Sequence, residues 1–372
     1  MGRFDEQLKK FEALLEQQAA RVERLKNEGD FVDYAGLDKL IIGVVGGDGI
    51  GPIITDQAAR ILAHLLKDEI AAGKIVIKNI EGLTIENRLE KNQAVPDDVL
   101  AQIKTCDVLL KGPTTTPNGG TMGSANVTLR RELDLYANVR PVSIPELGID
   151  WMFYRENTEG EYVLGSKGID LPGMAVDFKV TTDLGTKRIA RAAFDYAKQN
   201  GKNRVTVVTK ANIMKKTDGK FSDLCKEVAA EYPGIETDEY YIDIMTAKLL
   251  DERVRDQFQV ILLPNLYGDI ITDEAAQIQG GVGTAGSANI GDQYAMFEAI
   301  HGSAPRMLER GMGDYANPSS IIKAGAMLLR HIGRVEAAQK LEDAMQNCTT
   351  VITGKTDGPT AAQYADALIA ML

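Results

Sequence analysis

An α/β fold with a largely parallel sheet is predicted by three observations: apolar strand-like runs alternate with helical patterns, a β-loop-α unit opens the series, and glycine- or proline-rich loops punctuate it. The run Leu40-Ile-Ile-Gly-Val-Val45 reads as a buried strand. Thr55 to Lys67 follows as a helix with Ala58, Ile61, Leu62 and Leu65 at helical spacing. Further strands are predicted at Ile75 to Ile80, Val108 to Lys111, Trp151 to Tyr154, Arg204 to Thr209, Tyr240 to Ile242 and Val260 to Leu263. Helical patterns lie between several of them, at Thr186 to Asn200 and Phe221 to Glu231. The loops are Gly46 to Pro52, Gly112 to Gly123, Gly165 to Gly173 and Gly280 to Gly291. Loops this long in a compact chain are often functional.

Ahead of the first strand, residues 3 to 27 carry Phe4, Leu8, Phe11, Leu15, Val22 and Leu25 at three- and four-residue steps, with Gln18 breaking the series. That pattern predicts an amphipathic helix, either packed on its own domain or forming a short coil between subunits. Its acids Asp5, Glu6, Glu12 and Glu16 argue against a transit peptide. Asn27 to Asp38 reads as a linker.

The 372 residues, 44% hydrophobic and 26% charged, suffice for two domains or one large α/β unit. Fifty-three acidic against 42 basic side chains give a net charge of −11, which repels nucleic acid and anionic membranes, and no basic patch offsets it. No apolar run reaches membrane-spanning length. Cys106, Cys225 and Cys348 lie far apart without metal or redox spacing, which suits a reducing compartment. The expectation is a cytoplasmic protein with neither nucleic acid nor membrane as partner.

Two segments carry chemistry. Asn265-Leu-Tyr-Gly-Asp269-Ile-Ile-Thr-Asp273 follows a strand and leads into the helix-like run Glu274 to Gln279, so Asp269 and Asp273 fall four residues apart on one face. Two such carboxylates form half of a divalent-metal site, with Asp243 upstream as a further acid, and oxygen-only ligands favour Mg²⁺ or Mn²⁺ over zinc. Taken alone the pair is equally a helix cap and a solvated carboxylate. The second segment holds Arg130, Arg140 and Arg155, whose planar forks suit a polycarboxylate. Gly46-Gly-Asp-Gly-Ile-Gly51 follows a strand, but its glycines do not complete G-x-G-x-x-G, so a Rossmann fold is rejected.

These motifs together resemble the β-decarboxylating dehydrogenases, the family of isocitrate, isopropylmalate, homoisocitrate and tartrate dehydrogenases. The resemblance rests on Gly47-Asp-Gly-Ile-Gly-Pro52, Leu129-Arg-Arg-Glu-Leu-Asp-Leu-Tyr-Ala-Asn-Val-Arg-Pro141, Arg155-Glu-Asn-Thr-Glu-Gly160, Lys210-Ala-Asn-Ile-Met214, Asn265-Leu-Tyr-Gly-Asp269 and His301-Gly-Ser-Ala-Pro305. It implies an isopropylmalate dehydrogenase-like fold: a large discontinuous α/β domain over 40–135 and 280–372, and a small α/β domain over 136–279 with a dimer clasp near 165–182. Residues 1–39 would be a helical extension. The active site would lie in a cleft between the domains of a homodimer whose subunits exchange residues.

The same resemblance implies roles. Ser124 and Asn126 are similar to the pair that bonds the γ-carboxylate of isocitrate, where an isopropyl tail would find no apolar contact. Arg130, Arg140 and Arg155 would clamp carboxylates. Asp269, Asp273 and the second subunit's copy of Asp243 would hold the metal. Lys210 resembles the lysine acting across the dimer in proton transfer, and Tyr162 the tyrosine that protonates the enol carbon. Asn212 would contact the nicotinamide or its carboxylate neighbours. His301 and Asn317 would bind adenosine, with Thr115, Glu298, Gly302 and Ala304 as further cofactor candidates. Arg306 and Met307 follow Pro305 where NADP-dependent members carry lysine and tyrosine and NAD-dependent members aspartate and a small apolar residue, so this position matches neither. The expectation is an NAD-dependent isocitrate dehydrogenase; an NADP-dependent enzyme, a homoisocitrate dehydrogenase and a noncatalytic regulatory subunit remain as alternatives.

Overall fold

The computed structural model describes residues 4–26, 31–117, 122–165, 167–281, 283 and 285–372. Asn118 to Thr121, from the loop expected to read the substrate, fall outside them, as do Ser166, Val282 and Thr284 from two other loops. The chain forms two compact units. One comprises 1–30 and 143–272, the other 31–142 and 273–372, so the second is discontinuous in sequence.

The elements follow in chain order. A long helix α1 (Asp5–Leu25) precedes β1 (Leu40–Val45), α2 (Gly51–Leu65), α3 (Lys67–Ala71), β2 (Ile75–Ile80), α4 (Ile85–Lys91), α5 (Asp97–Ile103), β3 (Val108–Lys111), α6 (Ala125–Glu132) and β4 (Ala137–Ile144). The middle of the chain supplies β5 (Ile149–Glu156), a hairpin of β6 (Ile169–Leu171) and β7 (Met174–Val176), α7 (Asp183–Gln199), β8 (Arg204–Thr209), α8 (Thr217–Ala229), β9 (Glu236–Tyr241), α9 (Ile242–Leu250), β10 (Val260–Leu263) and α10 (Asn265–Ile278). Last come β11 (Gly286–Ile290), β12 (Ala295–Ala299), α11 (Pro305–Glu309), α12 (Ser319–His331), α13 (Val335–Asn347) and α14 (Ala361–Ile369).

In the discontinuous unit the strands run β2-β1-β3-β12-β11-β4. They are parallel from β2 to β12, and β11 pairs antiparallel with both neighbours. β1 and β3 are apolar almost throughout because helices cover them, as parallel strands require. Val45, Ile80, Val99, Ile103, Leu109, Leu129, Leu133 and Met296 form one core cluster, while α12 lies on β11 and β12 and packs against α2. The middle unit has the all-parallel order β5-β10-β8-β9, with α7 on β5, β8 and β10.

The fold is mixed α/β of the isopropylmalate dehydrogenase type, and the structure corrects several boundaries. The first helix after β1 starts at Gly51, not Thr55, because Pro52 sits in its first turn, where a missing N–H is harmless. The strand predicted at Tyr240 to Ile242 is β9, which starts at Glu236 and ends at Tyr241. Its polar sequence belongs to a half-exposed strand at the end of the sheet order, which apolar patterning does not reveal. α10 begins at Asn265 rather than near Glu274, so Asp269 and Asp273 sit within a helix, not ahead of one. The units divide at 142/143 and 272/273, where 135/136 and 279/280 were expected, and residues 1–30 group with the middle unit.

Candidate active site

In the middle unit, Arg155 at the end of β5 is fully buried. It crosses α10 where Gly268 has no side chain; a Cβ there would lie 2.5 Å from Arg155 Cγ. Arg155 Nε donates to the Asn265 carbonyl (2.8 Å) and Nη2 to Asn265 Oδ1 (2.7 Å). Nη1 donates to Asp269 Oδ1 at 2.6 Å, and the Tyr162 hydroxyl donates to Asp269 Oδ2 at 2.7 Å. Tyr162 also lies 5.5 Å below the Arg155 guanidinium. An arginine, a carboxylate and a phenol therefore meet at the solvent edge, Asp269 being 39% exposed at its side chain. Charge-assisted bonds of this length fix orientation tightly.

The same unit holds Lys210 after β8. Its backbone N–H donates to the buried Asp218 (2.7 Å), while its ammonium reaches Asp243 Oδ1 at 2.5 Å. The hydrogen bond from Lys210 draws the Asp243 carboxyl below its usual range. Asp243, in the first turn of α9, is 60% exposed at its side chain, and the expected nicotinamide contact Asn212 is exposed as well. Around the pair, Ile213 (66%), Ile244 (47%) and Tyr241 (40%) present apolar surface to solvent.

The discontinuous unit carries the other arginines. Arg140 on β4 donates to Asp273 Oδ1 at 3.1 Å. Arg130, near the end of α6, donates to Glu298 Oε1 at 3.1 Å. Glu298 was expected to face the nucleotide, but it is turned inward and buried: Oε2 takes the fully buried Lys111 (3.1 Å) and Oε1 also takes Asn289 Nδ2 (2.8 Å). Burial alone would raise this carboxyl, yet Lys111 and Arg130 hold it down at about 2. Its role here is to hold Arg130. Ser124 occupies the N-cap of α6 without a side-chain cap bond, so the first-turn amides are not capped by its hydroxyl. Asn126 Oδ1 accepts from the Thr114 hydroxyl at 3.0 Å.

The glycine segment after β1 packs backbone against backbone. Gly47 and Gly49 have φ of +75° and +60°, and a Cβ on them would lie 2.2 Å from the Pro113 carbonyl oxygen and 2.0 Å from that of Ser303. Asp48 between them accepts from Thr115 N (2.7 Å) and Ile85 N (2.6 Å), and the Thr115 and Ser303 hydroxyls meet at 2.7 Å. The loops bearing the expected cofactor residues are thus keyed together. Ala304 takes the left-handed region (φ +43°) to start α11, a conformation that costs a side-chain residue of order 1–3 kcal/mol and clusters at ligand clamps. Nothing lies within 4 Å of a Cβ placed on Gly302. His301 Nδ1 lies 2.9 Å from the Gly302 carbonyl oxygen, while Nε2 is shielded and has no hydrogen-bond partner among the described residues. Arg306 is exposed, and Asn317 Oδ1 accepts from Ser319 N at 2.9 Å. The residues after Pro305 form the short α11 and a single 3₁₀ turn, Gly313–Tyr315. The open space in this loop therefore lies at the Gly302 backbone, while the partnerless imidazole nitrogen is turned away from solvent.

The acids fit a hard divalent cation in chemistry, all donors being carboxylate oxygens. Among the described residues of one chain, however, no three of His, Cys, Asp or Glu cluster to complete a site. Each of the three acids is already paired: Asp269 with Arg155 and Tyr162, Asp273 with Arg140, and Asp243 with Lys210. Sequence reasoning did not identify Asn265, Gly268 or Lys111 as parts of these arrangements. The first two lie inside a quoted motif, whereas Lys111 at the end of a strand carried no signal.

The motifs, the fold and this geometry define a class, and comparison with known proteins agrees with it. The chain belongs to the isocitrate/isopropylmalate dehydrogenase family, whose model matches residues 41–358. It is 38% identical to a Schizosaccharomyces pombe protein named isocitrate dehydrogenase (NAD) subunit 2, mitochondrial, over 89% of this chain and 87% of the relative. It is 41% identical to a Rickettsia typhi isocitrate dehydrogenase (NADP), over 82% of this chain and 62% of that longer protein. It is 37% identical to a regulatory subunit of the mitochondrial isocitrate dehydrogenase (NAD) of Dictyostelium discoideum, over 88% of this chain and 90% of that one. Among solved structures, isocitrate dehydrogenase from Methylococcus capsulatus superposes with a TM-score of 0.78 at 36% identity, covering 89% of this chain and 99% of that one.

Proposed function

We propose that this chain oxidatively decarboxylates isocitrate to 2-oxoglutarate and CO₂, passing hydride to NAD, as a homodimer with shared sites. The observation that carries the reading is the convergence of Arg155 and Tyr162 on Asp269, which sets a carboxylate-binding fork and a proton donor against a candidate metal ligand. Asp269, Asp273 and Asp243 of a second copy would hold Mg²⁺ or Mn²⁺, which when bound acidifies the substrate hydroxyl and stabilises negative charge on oxygen. The apolar surface around Lys210 and Asp243 supports a partner on that face, since exposed patches of this kind mark interaction sites.

Arg130, Arg140 and Arg155 orient the substrate through its carboxylates, and Ser124 with Asn126 receives the γ-carboxylate. A bound nicotinamide would accept the hydride that leaves C2, and Lys210 would take the hydroxyl proton. Loss of CO₂ from the β-carboxylate leaves its bonding pair on the enolate, and the Tyr162 phenol protonates the carbon that lost CO₂. His301, Gly302, Ala304, Asn317 and Thr115 would seat the adenosine end, and Asn212 the nicotinamide end. NAD is favoured because Arg306 and Met307 stand where a lysine-tyrosine pair would read a 2′-phosphate, and a lone exposed cation contributes little.

The test is the initial rate at 340 nm with Mn²⁺, pairing NAD⁺ or NADP⁺ with isocitrate, homoisocitrate or isopropylmalate. Fast turnover of isocitrate with NAD⁺ is expected. Preference for NADP⁺ overturns the cofactor assignment alone, preference for homoisocitrate overturns the substrate, and no turnover with any pair replaces catalysis by the regulatory-subunit reading.

A further inference from the structure

The helix α1 lies outside the span matched by the family model, yet it packs on residues 159–178 of the middle unit. Leu14 is buried in a cluster with Val163 and Leu164, and Phe11 stacks on Phe178 with ring centroids 5.1 Å apart. Further along the helix, Arg21 is only 8% exposed, and its Nη1 and Nη2 donate to Glu159 Oε1 at 3.2 and 3.1 Å. A buried arginine on an appended helix needs a reason, because desolvating a guanidinium costs several kcal/mol unless it is well paired.

Glu159 is the hub. It is 2% exposed, its carboxylate also accepts from Thr182 N (2.9 Å) and the Thr182 hydroxyl, and Gly185 makes room for it: a Cβ there would lie 2.4 Å from Glu159 Cδ. Thr182 in turn caps α7 through Gly185 N. The Glu159 carbonyl accepts from Asn265 Nδ2 at 3.1 Å, and Asn265 Oδ1 accepts from Arg155 Nη2. Three residues after Glu159 comes Tyr162. A second acid, Glu156, is 3% exposed in the same turn and takes Thr158 N, the Thr158 hydroxyl and Glu159 N. Burial and the neighbouring Glu159 push the Glu156 carboxyl up to about 7, a sign that two acids crowd one dry turn. Arg21 is bonded directly to Glu159 of this pair.

We propose that Arg21 is a positioning residue for the active site: by neutralising and pinning Glu159 it fixes the 156–160 turn, which sets Asn265, Arg155 and Tyr162 against Asp269. The inference rests on the proposed function in taking Arg155 and Tyr162 as the groups that meet substrate. The appended helix is then part of the catalytic support, in addition to being a stabilising pack.

The full-length chain tests this with Arg21→Met, which keeps length and loses charge, and Arg21→Lys, which keeps charge and loses the fork. Misplacing reacting groups by about 1 Å costs on the order of 100-fold. R21M should therefore lower kcat by about 10- to 100-fold and raise the isocitrate KM while leaving the NAD KM unchanged, with partial recovery in R21K. Hydrogen exchange should show lost protection confined to residues 156–165. A role limited to holding the helix would lower the melting temperature and leave kcat and isocitrate KM at wild-type values, and that result overturns the proposal. If R21M does not fold, R21K decides: reduced kcat with local exchange supports it, wild-type kcat overturns it. Should the unaltered chain turn over no isocitrate, the functional reading fails by itself, and the exchange measurement still accepts or rejects the Arg21 link.

Discussion

Around Glu298, one acid, two cations and an amide are buried together with every carboxylate oxygen engaged; at Lys210 and Asp243, one cation and one acid stand on an apolar, solvent-facing surface with side-chain exposures of 24% and 60%. The chemistry is alike, acid against cation, but the first cluster is closed to solvent and the second is open to it. A closed cluster costs desolvation and gives back a fixed Arg130. An open pair costs little and leaves both groups available to another molecule. The contrast sets groups that fix the structure against the groups proposed to act in the reaction, and each of the following variants probes one side of it.

The largest effect is expected on the closed side. Glu298→Gln leaves Lys111 buried without its counter-charge and should destabilise by about 3–5 kcal/mol, read as a fall in denaturant midpoint. The pH dependence follows from the same ion. A carboxyl held at about 2 when folded, against an ordinary 4.5, binds more protons unfolded than folded between those values. Its stabilisation is complete above 4.5 and lost as pH falls through 2, so the wild type should weaken over that window and E298Q should weaken less steeply. An unchanged midpoint in E298Q at neutral pH would erase the distinction.

On the open side, Lys210→Met should lower kcat by about 10²- to 10³-fold, in the range of lost proton transfer, with no fall in melting temperature. Mixing the K210M and Asp269→Asn chains after co-refolding should restore activity, because a mixed pair can rebuild one intact site. Failure to complement would confine each site to one chain. Tyr162→Phe removes the proton donor and should reduce kcat by about 100-fold while the isocitrate KM stays within about threefold. The smallest effect belongs to Arg306→Ala. The KM for NAD⁺ should move by less than about threefold, as an isolated exposed charge allows; a large rise for NADP⁺ alone would identify a phosphate contact.

Much of this was legible in the chain itself, and the particulars show why. β2, β3, β8 and β10 have the ranges read from the sequence, since Val, Ile and Leu make up half or more of each. Most of β9 has no apolar signature, because an edge strand tolerates Glu236, Thr237, Asp238 and Glu239. Asp269 and Asp273 were visible from their spacing, but the helix that carries them was placed too late, because Asn265-Leu-Tyr-Gly reads as a loop when its glycine is taken for a breaker. Glu298 illustrates the opposite limit. Its residue type suits a cofactor contact, and only three dimensions show that Lys111, Arg130 and Asn289 already surround it. The link from Arg21 to Glu159 spans 138 residues and leaves no local trace.

Gly268 sets a limit on how this protein can be improved. A glycine within a helix is worth roughly 1 kcal/mol less than alanine, so helix propensity alone would favour replacing it. The alanine methyl would take the space used by Arg155 Cβ, Cγ and Cδ, all within 2.9 Å of it. Overpacking of this kind costs about 1–3 kcal/mol, at least what helix propensity would return, so at this position a screen for melting temperature and a screen for activity both keep the glycine.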